Sequence, residues 1–155
     1  MNPLIRPVIP ADVPAIIALA KEAATAAQWS QAQYEQVFLR EGTPTRLALV
    51  IEEDAGIRAF LVTRVVDLEW EIENIVVAGP ARRHGLGVRL VGELLRLARL
   101  RGTKAIFLEV RESNRAARAL YEKCGFAVAS CRKGYYRNPD EAAIIYRLDL
   151  AGLAS

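Results

Sequence analysis

Residues 74–87 read Asn74-Ile75-Val76-Val77-Ala78-Gly79-Pro80-Ala81-Arg82-Arg83-His84-Gly85-Leu86-Gly87, an apolar run that passes directly into a basic, glycine-flanked turn. From Gly87 to Arg101 apolar residues recur at Leu90, Val91, Leu94, Leu95, Leu97 and Ala98, the stripe of an amphipathic helix, and Gly102 follows as its stop. A buried strand therefore feeds the N-terminus of the clearest helix in the chain. Free backbone N–H groups and the positive end of the helix dipole make such a start attractive to anions. Gly85 and Gly87 let the backbone come close, and Arg82 and Arg83 add full charges.

Three phosphate-binding patterns compete for this stretch. A dinucleotide fingerprint wants a third small residue where Leu90 stands, although Glu109 lies about 20 residues on, where a ribose ligand belongs. A P-loop must end in Gly-Lys-Ser/Thr, and Gly87-Val88-Arg89 does not. The shorter Arg-x-x-Gly-x-Gly pyrophosphate loop fits without exception. His84, the single histidine, has no cluster of cysteines or carboxylates beside it, so neither a metal ligand nor any other metal site is expected.

Outward from this unit the chain alternates strands and helices. Leu4 to Val8 reads as a strand, and Pro10 and Asp12 open a helix running to about Ala27. Ser30 and Gln33 form a capping box for a second helix ending at Gly42. Leu47 to Ile51 and Ile57 to Val66 flank the turn residues 53–56 as a hairpin, and a third strand follows from Leu68 to Val77. Beyond the long helix, Ala105 to Val110 is a strand, Ser113 can cap a helix to Lys123, and Gly125 can end it. Closing strands are expected near Phe126 to Ser130 and Ala143 to Leu150, with Arg132 to Glu141, which holds Tyr135 and Tyr136, as a long loop between them. The class is mixed α/β, and one domain over residues 1–155 is expected.

Composition excludes several functions. The charge of +3 comes from 21 basic and 18 acidic residues without a dense basic block, which argues against nucleic acid as a partner. The start is broken by four prolines, and no stretch reaches the roughly 18 apolar residues of a membrane span, so a cytoplasmic protein that does not engage the membrane is expected. Cys124 and Cys131 match neither a redox pair nor a zinc knuckle.

The loop Arg82-Arg83-His84-Gly85-Leu86-Gly87, with its strand and helix, resembles the acetyl-CoA loop of the GNAT superfamily. Leu108 to Phe126, the Tyr135-Tyr136 pair and the ending Ala142 to Leu150 are similar to the ribosomal-protein-alanine N-acetyltransferases within it. The resemblance implies a twisted, mostly antiparallel sheet of about six to seven strands flanked by about four helices. It also implies acetyl-CoA as co-substrate and a protein N-terminus, that of a ribosomal protein, as acceptor. By the same resemblance Ile75, Val76 and Val77 hydrogen-bond the pantetheine arm, Arg83 to Val88 hold the pyrophosphate, and Asn114 contacts the cofactor near its thioester.

Acetyl transfer to an amine needs a base, because the amine arrives mostly as ammonium, and benefits from an acid as the thiolate leaves. Alternation along Ala105 to Arg111 sets Glu109 apart as a lone carboxylate in an apolar strand, either a solvated residue paired with an arginine or a functional one. The resemblance assigns it as general base. Tyr121 matches the family's general acid, and a phenol of pKa ~10 can reprotonate a thiolate. It also shares a helical face with Ala117, Leu120 and Cys124, as a core tyrosine would. Cys124 reads as packing, since no histidine stands ready to activate it.

Glu69, Glu71 and Glu73 alternate with Trp70 and Ile72, so three carboxylates share one strand face. That face is either wet surface or a groove for a cationic peptide, with Glu71 and Glu73 as its contacts, and by the resemblance the loop holding Tyr135 and Tyr136 closes over the start of the peptide. Two other functions fit the cofactor loop: a GNAT enzyme acting on a small amine or on lysine, and a non-catalytic acyl-CoA-binding module.

Overall fold

The computed structural model describes residues 3–23, 29–39, 45–79, 85–136 and 141–150. In chain order these form β1 (Leu4–Pro7), α1 (Val13–Glu22), α2 (Gln31–Leu39), β2 (Thr45–Glu53), β3 (Gly56–Val66), β4 (Glu69–Val77), α3 (Leu86–Leu100), β5 (Ala105–Arg111), α4 (Arg115–Lys123), β6 (Ala127–Tyr136) and β7 (Glu141–Asp149). One seven-stranded sheet runs β1-β2-β3-β4-β5-β7-β6. Every neighbouring pair is antiparallel except β4 and β5. The mixed α/β reading, with its mostly antiparallel sheet, is the architecture found.

Local chemistry explains most of these elements. At the start of α2 the Gln33 amide donates to Ser30 Oγ at 3.1 Å and the Ser30 amide to Gln33 Oε1 at 2.7 Å, a closed capping box. The expected end of that helix at Gly42 lies outside the described residues. The first helix stops at Glu22, earlier than expected, with Ala23 already extended. Arg6 clamps Asp12 through two hydrogen bonds of 2.8 and 2.9 Å, and this holds the Asp12 carboxyl below its ordinary value and ties β1 to the start of α1.

The sheet buries two apolar layers, one on each side. On one side Leu86, Leu90, Val91, Leu94, Leu95 and Ala98 of α3, with Tyr121 of α4, pack on Leu61, Trp70, Ile72, Leu108 and Tyr146. Each fully buried Leu or Ile contributes on the order of 2 kcal/mol, so the α3 stripe anchors the sheet's centre. On the other side Ile16 and Leu19 of α1 and Tyr34 of α2 cover Val50, Phe60, Val62 and Val76. Those two helices reach β2, β3 and β4, leaving the β5-β7-β6 part of that face open among the described residues.

Two expectations need correction. Arg132 to Glu141 is not a long loop, because β6 continues to Tyr136 and pairs with β7 up to Glu141. Main-chain hydrogen bonds to β7 hold this segment and require no apolar side chains, which an exposed edge strand does without. The cap of α4 is Asn114, not Ser113: Asn114 Oδ1 accepts from the Ala117 amide at 3.2 Å, while the Ser113 amide donates to Glu141 Oε2 at 2.6 Å.

Candidate active site

The feature that makes a site is a parting of strands. β4 and β5 pair in parallel only from Glu69/Ala105 to Ile72/Leu108. Beyond that point β4 stays with β3, and β5 stays with β7. A bulge accounts for the divergence. Val62 pairs with Asn74 and Thr63 with Ile72, so Glu73 is an extra residue that bends β4 away. Trp70 and Ile72 before it and Ile75 and Val77 after it all belong to the α3 side of the core, which two residues in succession on the other face allow. The alternation of carboxylates gives no hint of this break.

Because β4 and β5 are parallel, the helices that follow them start at the same end of the sheet, beside the gap. At α3, Gly85 takes the left-handed conformation (φ 76°) that lets the chain turn into the helix without strain. The first helical bond runs from the Arg89 amide to the Gly85 carbonyl at 3.1 Å, so the amides of Leu86, Gly87 and Val88 precede the ladder, and no side chain among the described residues caps them. A Cβ on Gly87 would stand 3.1 Å from Leu120 Cδ2, so this glycine also lets α4 pack against the start of α3. Leu86 is buried in the core and Val76 lies under α1 and α2, so their side chains are taken up by the core. Arg82, Arg83 and His84 lie outside the described residues.

Glu109 and Tyr121 approach β5 from opposite sides. Leu108 and Val110 belong to the layer that contains Tyr121, so Glu109 projects to the other, open face. Tyr121 is only 5% exposed, stacks edge-on to Phe126 at 5.8 Å, and burial pushes its phenol well above the ordinary value. Burial likewise raises the Cys124 thiol, which fits packing and not nucleophilic attack.

The acidic face is more selective than its sequence implies. Arg147 Nη2 donates to Glu69 at 2.9 Å, and Arg46 grips Glu73 through Nε (2.6 Å) and Nη2 (3.2 Å). The Glu71 carboxylate makes no ion pair or hydrogen bond among the described residues, although Arg64 stands opposite it on β3. Burial first, then the Glu73 and Glu109 charges, push its carboxyl above the ordinary value. Beside it, a cavity of about 520 Å³ is lined by Arg64, Leu68, Glu71, Lys104 and Phe107 among others. Tyr135 is exposed, with the Arg132 guanidinium 4.1 Å from its ring centre, and the Tyr136 main chain pairs with Glu141. Sequence reasoning misses Arg46 and Arg132, because ion pairs across strands leave no local pattern.

Residues 13–126 match the Acetyltransferase (GNAT) family. The chain belongs to the GNAT acetyltransferases. The bS18-alanine N-acetyltransferase of Escherichia coli (strain K12) is 36% identical over 142 residues, 90% of this GNAT chain and 93% of that protein. Its counterpart in Salmonella typhimurium (strain LT2) is 37% identical over the same length. The crystal structure of the Escherichia coli ribosomal-protein-S18-alanine N-acetyltransferase matches the GNAT chain with a TM-score of 0.86 at 34% identity, covering 97% of this chain and 95% of that one. This GNAT protein is therefore an N-acetyltransferase, and no helix among its described residues is long and apolar enough to cross a membrane.

Proposed function

We propose that this acetyltransferase moves the acetyl group of acetyl-CoA to the free N-terminal amine of a protein, the N-terminal alanine of a ribosomal protein. The observation that carries the reading is the parting of β4 and β5 with Glu109 on one wall and two helix N-termini at its mouth. The likeness to enzymes named for that reaction supports the acceptor.

The residues present fit the cofactor. The amides of Leu86, Gly87 and Val88 suit a pyrophosphate, with Arg82, Arg83 and His84 preceding them in the chain. Ile75 to Val77 offer a strand edge, free of β5, to an extended amide-bearing arm, and Asn114 caps α4, the second helix that starts beside the gap. Acetyl-CoA supplies an activated acyl group and a thiol leaving group. Glu109 takes the proton of the acceptor ammonium, directly or through water. Tyr121, held protonated by burial, is the proton donor from the opposite side. No metal takes part in this scheme.

Glu71 gives the acceptor its charge preference. An ionised carboxylate held half-buried beside two others is unfavourable, and a bound cation relieves that cost. Glu73 and Tyr135 border the same face, with Tyr136 next along β6. Reversing Glu71 to lysine should raise KM for an alanine-first peptide bearing arginines roughly three- to tenfold more than for a neutral one, and added salt should shrink the difference. Measurement of kcat/KM on a panel of peptides that vary in first residue and downstream charge checks both claims. Equal losses on charged and neutral peptides would remove Glu71 from acceptor recognition.

A further inference from the structure

Among the described residues Glu109 has charged neighbours on two other strands, Glu71 on β4 and Arg132 on β6, while β7 sets uncharged Ile145 opposite it. Arg46 is engaged by Glu73 and Arg64 stands across from Glu71, so among the described residues Arg132 is the cation that pairs with Glu109 itself. Its Nη1 lies 3.6 Å from Glu109 Oε1, within ion-pair range and beyond hydrogen-bond range. Compare the Arg46 to Glu73 contact, where both carboxylate oxygens accept hydrogen bonds. Arg132 thus offsets the repulsion of the Glu71 carboxylate without consuming the lone pair that a base needs.

The backbone is shaped to hold this arginine. Arg132 pairs with Ala143 and Tyr136 with Glu141, so residues 133–135 bulge against the single residue Ala142. Gly134 within the bulge has φ 64°, and nothing among the described residues stands within 4 Å of where its Cβ would be, so the requirement there is conformational. In a regular strand, residues 132 and 135 would point to opposite faces. The bulge brings the Tyr135 ring beneath the Arg132 guanidinium, at 4.1 Å, and gives a side chain that is 56% exposed a fixed platform.

We infer that Arg132, braced on Tyr135 by the Gly134 bulge, is a positioning residue that orients the Glu109 carboxylate for proton abstraction. This rests on the reading of Glu109 as the base. Its test is a double-mutant cycle on the full chain with acetyl-CoA and an alanine-first peptide. Arg132→Ala should lower kcat roughly three- to tenfold, with the KM for acetyl-CoA and the melting temperature unchanged, because the pair is partly exposed and on an edge strand. Arg132→Lys should recover part of the loss, and Tyr135→Leu should cost roughly two- to fivefold, as the loss of an exposed cation–π contact does. In a Glu109→Gln background, removing Arg132 should cost nothing further. The same loss in both backgrounds overturns the inference, since Arg132 would then act on the acceptor or the fold. Full activity in Glu109→Gln alone would instead remove the base, and a normal Glu109→Gln defect with an additive cycle removes only Arg132.

Discussion

Glu109→Gln should lower kcat by on the order of ten- to a thousandfold while leaving the KM for acetyl-CoA nearly unchanged. Glutamine keeps the size of the side chain and its place on β5, and loses only the capacity to take a proton. The gap between β4 and β5 is made by main chain and by the Glu73 bulge, so neither should respond to the change. The Arg132 contact at 3.6 Å is partly exposed and adds little to stability, so the melting temperature should hold within a degree or two. Undiminished turnover at neutral pH, measured by release of free thiol, removes Glu109 from the base position. Tyr121→Phe separates the other candidate: a slower enzyme with an intact fold marks an acid, and a lower melting temperature with normal kcat marks a core residue.

Saturating acetyl-CoA should raise the melting temperature, and Gly85→Val should abolish most of that rise. A ligand at a hundred times its Kd stabilises by about 2.7 kcal/mol. Gly85 stands at φ 76°, where a β-branched residue costs about 1–2 kcal/mol or more, and the turn that presents the Leu86, Gly87 and Val88 amides depends on it. Nothing among the described residues lies within 4 Å of the added Cβ, so the cost to the unliganded fold is that backbone strain alone, while the anion site loses its approach. Gly87→Val should behave differently. Its Cβ meets Leu120, so the unliganded melting temperature itself falls as α4 is pushed from α3. Thermal melts of both variants, with and without acetyl-CoA, separate the two roles. A larger shift with NADH than with acetyl-CoA would favour the dinucleotide pattern instead.

Features set by near neighbours in the chain are legible in the sequence. Five of the six buried positions of α3 (all but Leu86), the Ser30-Gln33 box and the hairpin turn each depend on residues within a few positions of one another. Features set by strand pairing are not. The Glu69 to Glu73 alternation runs on with no glycine or proline to mark a bulge, yet the register with β3 slips at Glu73 and opens the gap. Phe126 to Ser130 reads as a strand, but the second half of β6 lacks apolar alternation because it lies on an exposed edge strand, so the sequence from Arg132 on reads as a loop. Three carboxylates in alternation look equivalent, and only cross-strand arginines from β2 and β7 distinguish Glu71 from its neighbours. The cap of α4 falls one residue from its expected place, since Ser113 and Asn114 suit that position equally by residue type.

The central claim is acetyl transfer to a free protein N-terminus, and paired peptides test it most directly. One begins with a free alanine followed by arginines; the other has the same sequence with a blocked N-terminus and an added internal lysine. With acetyl-CoA, thiol release and a single acetyl group on the α-amine are expected for the first peptide, at a kcat/KM far above that of the second. Faster acetylation of the blocked, lysine-bearing peptide, or of a polyamine, than of any free-alanine peptide would contradict the N-terminal reading.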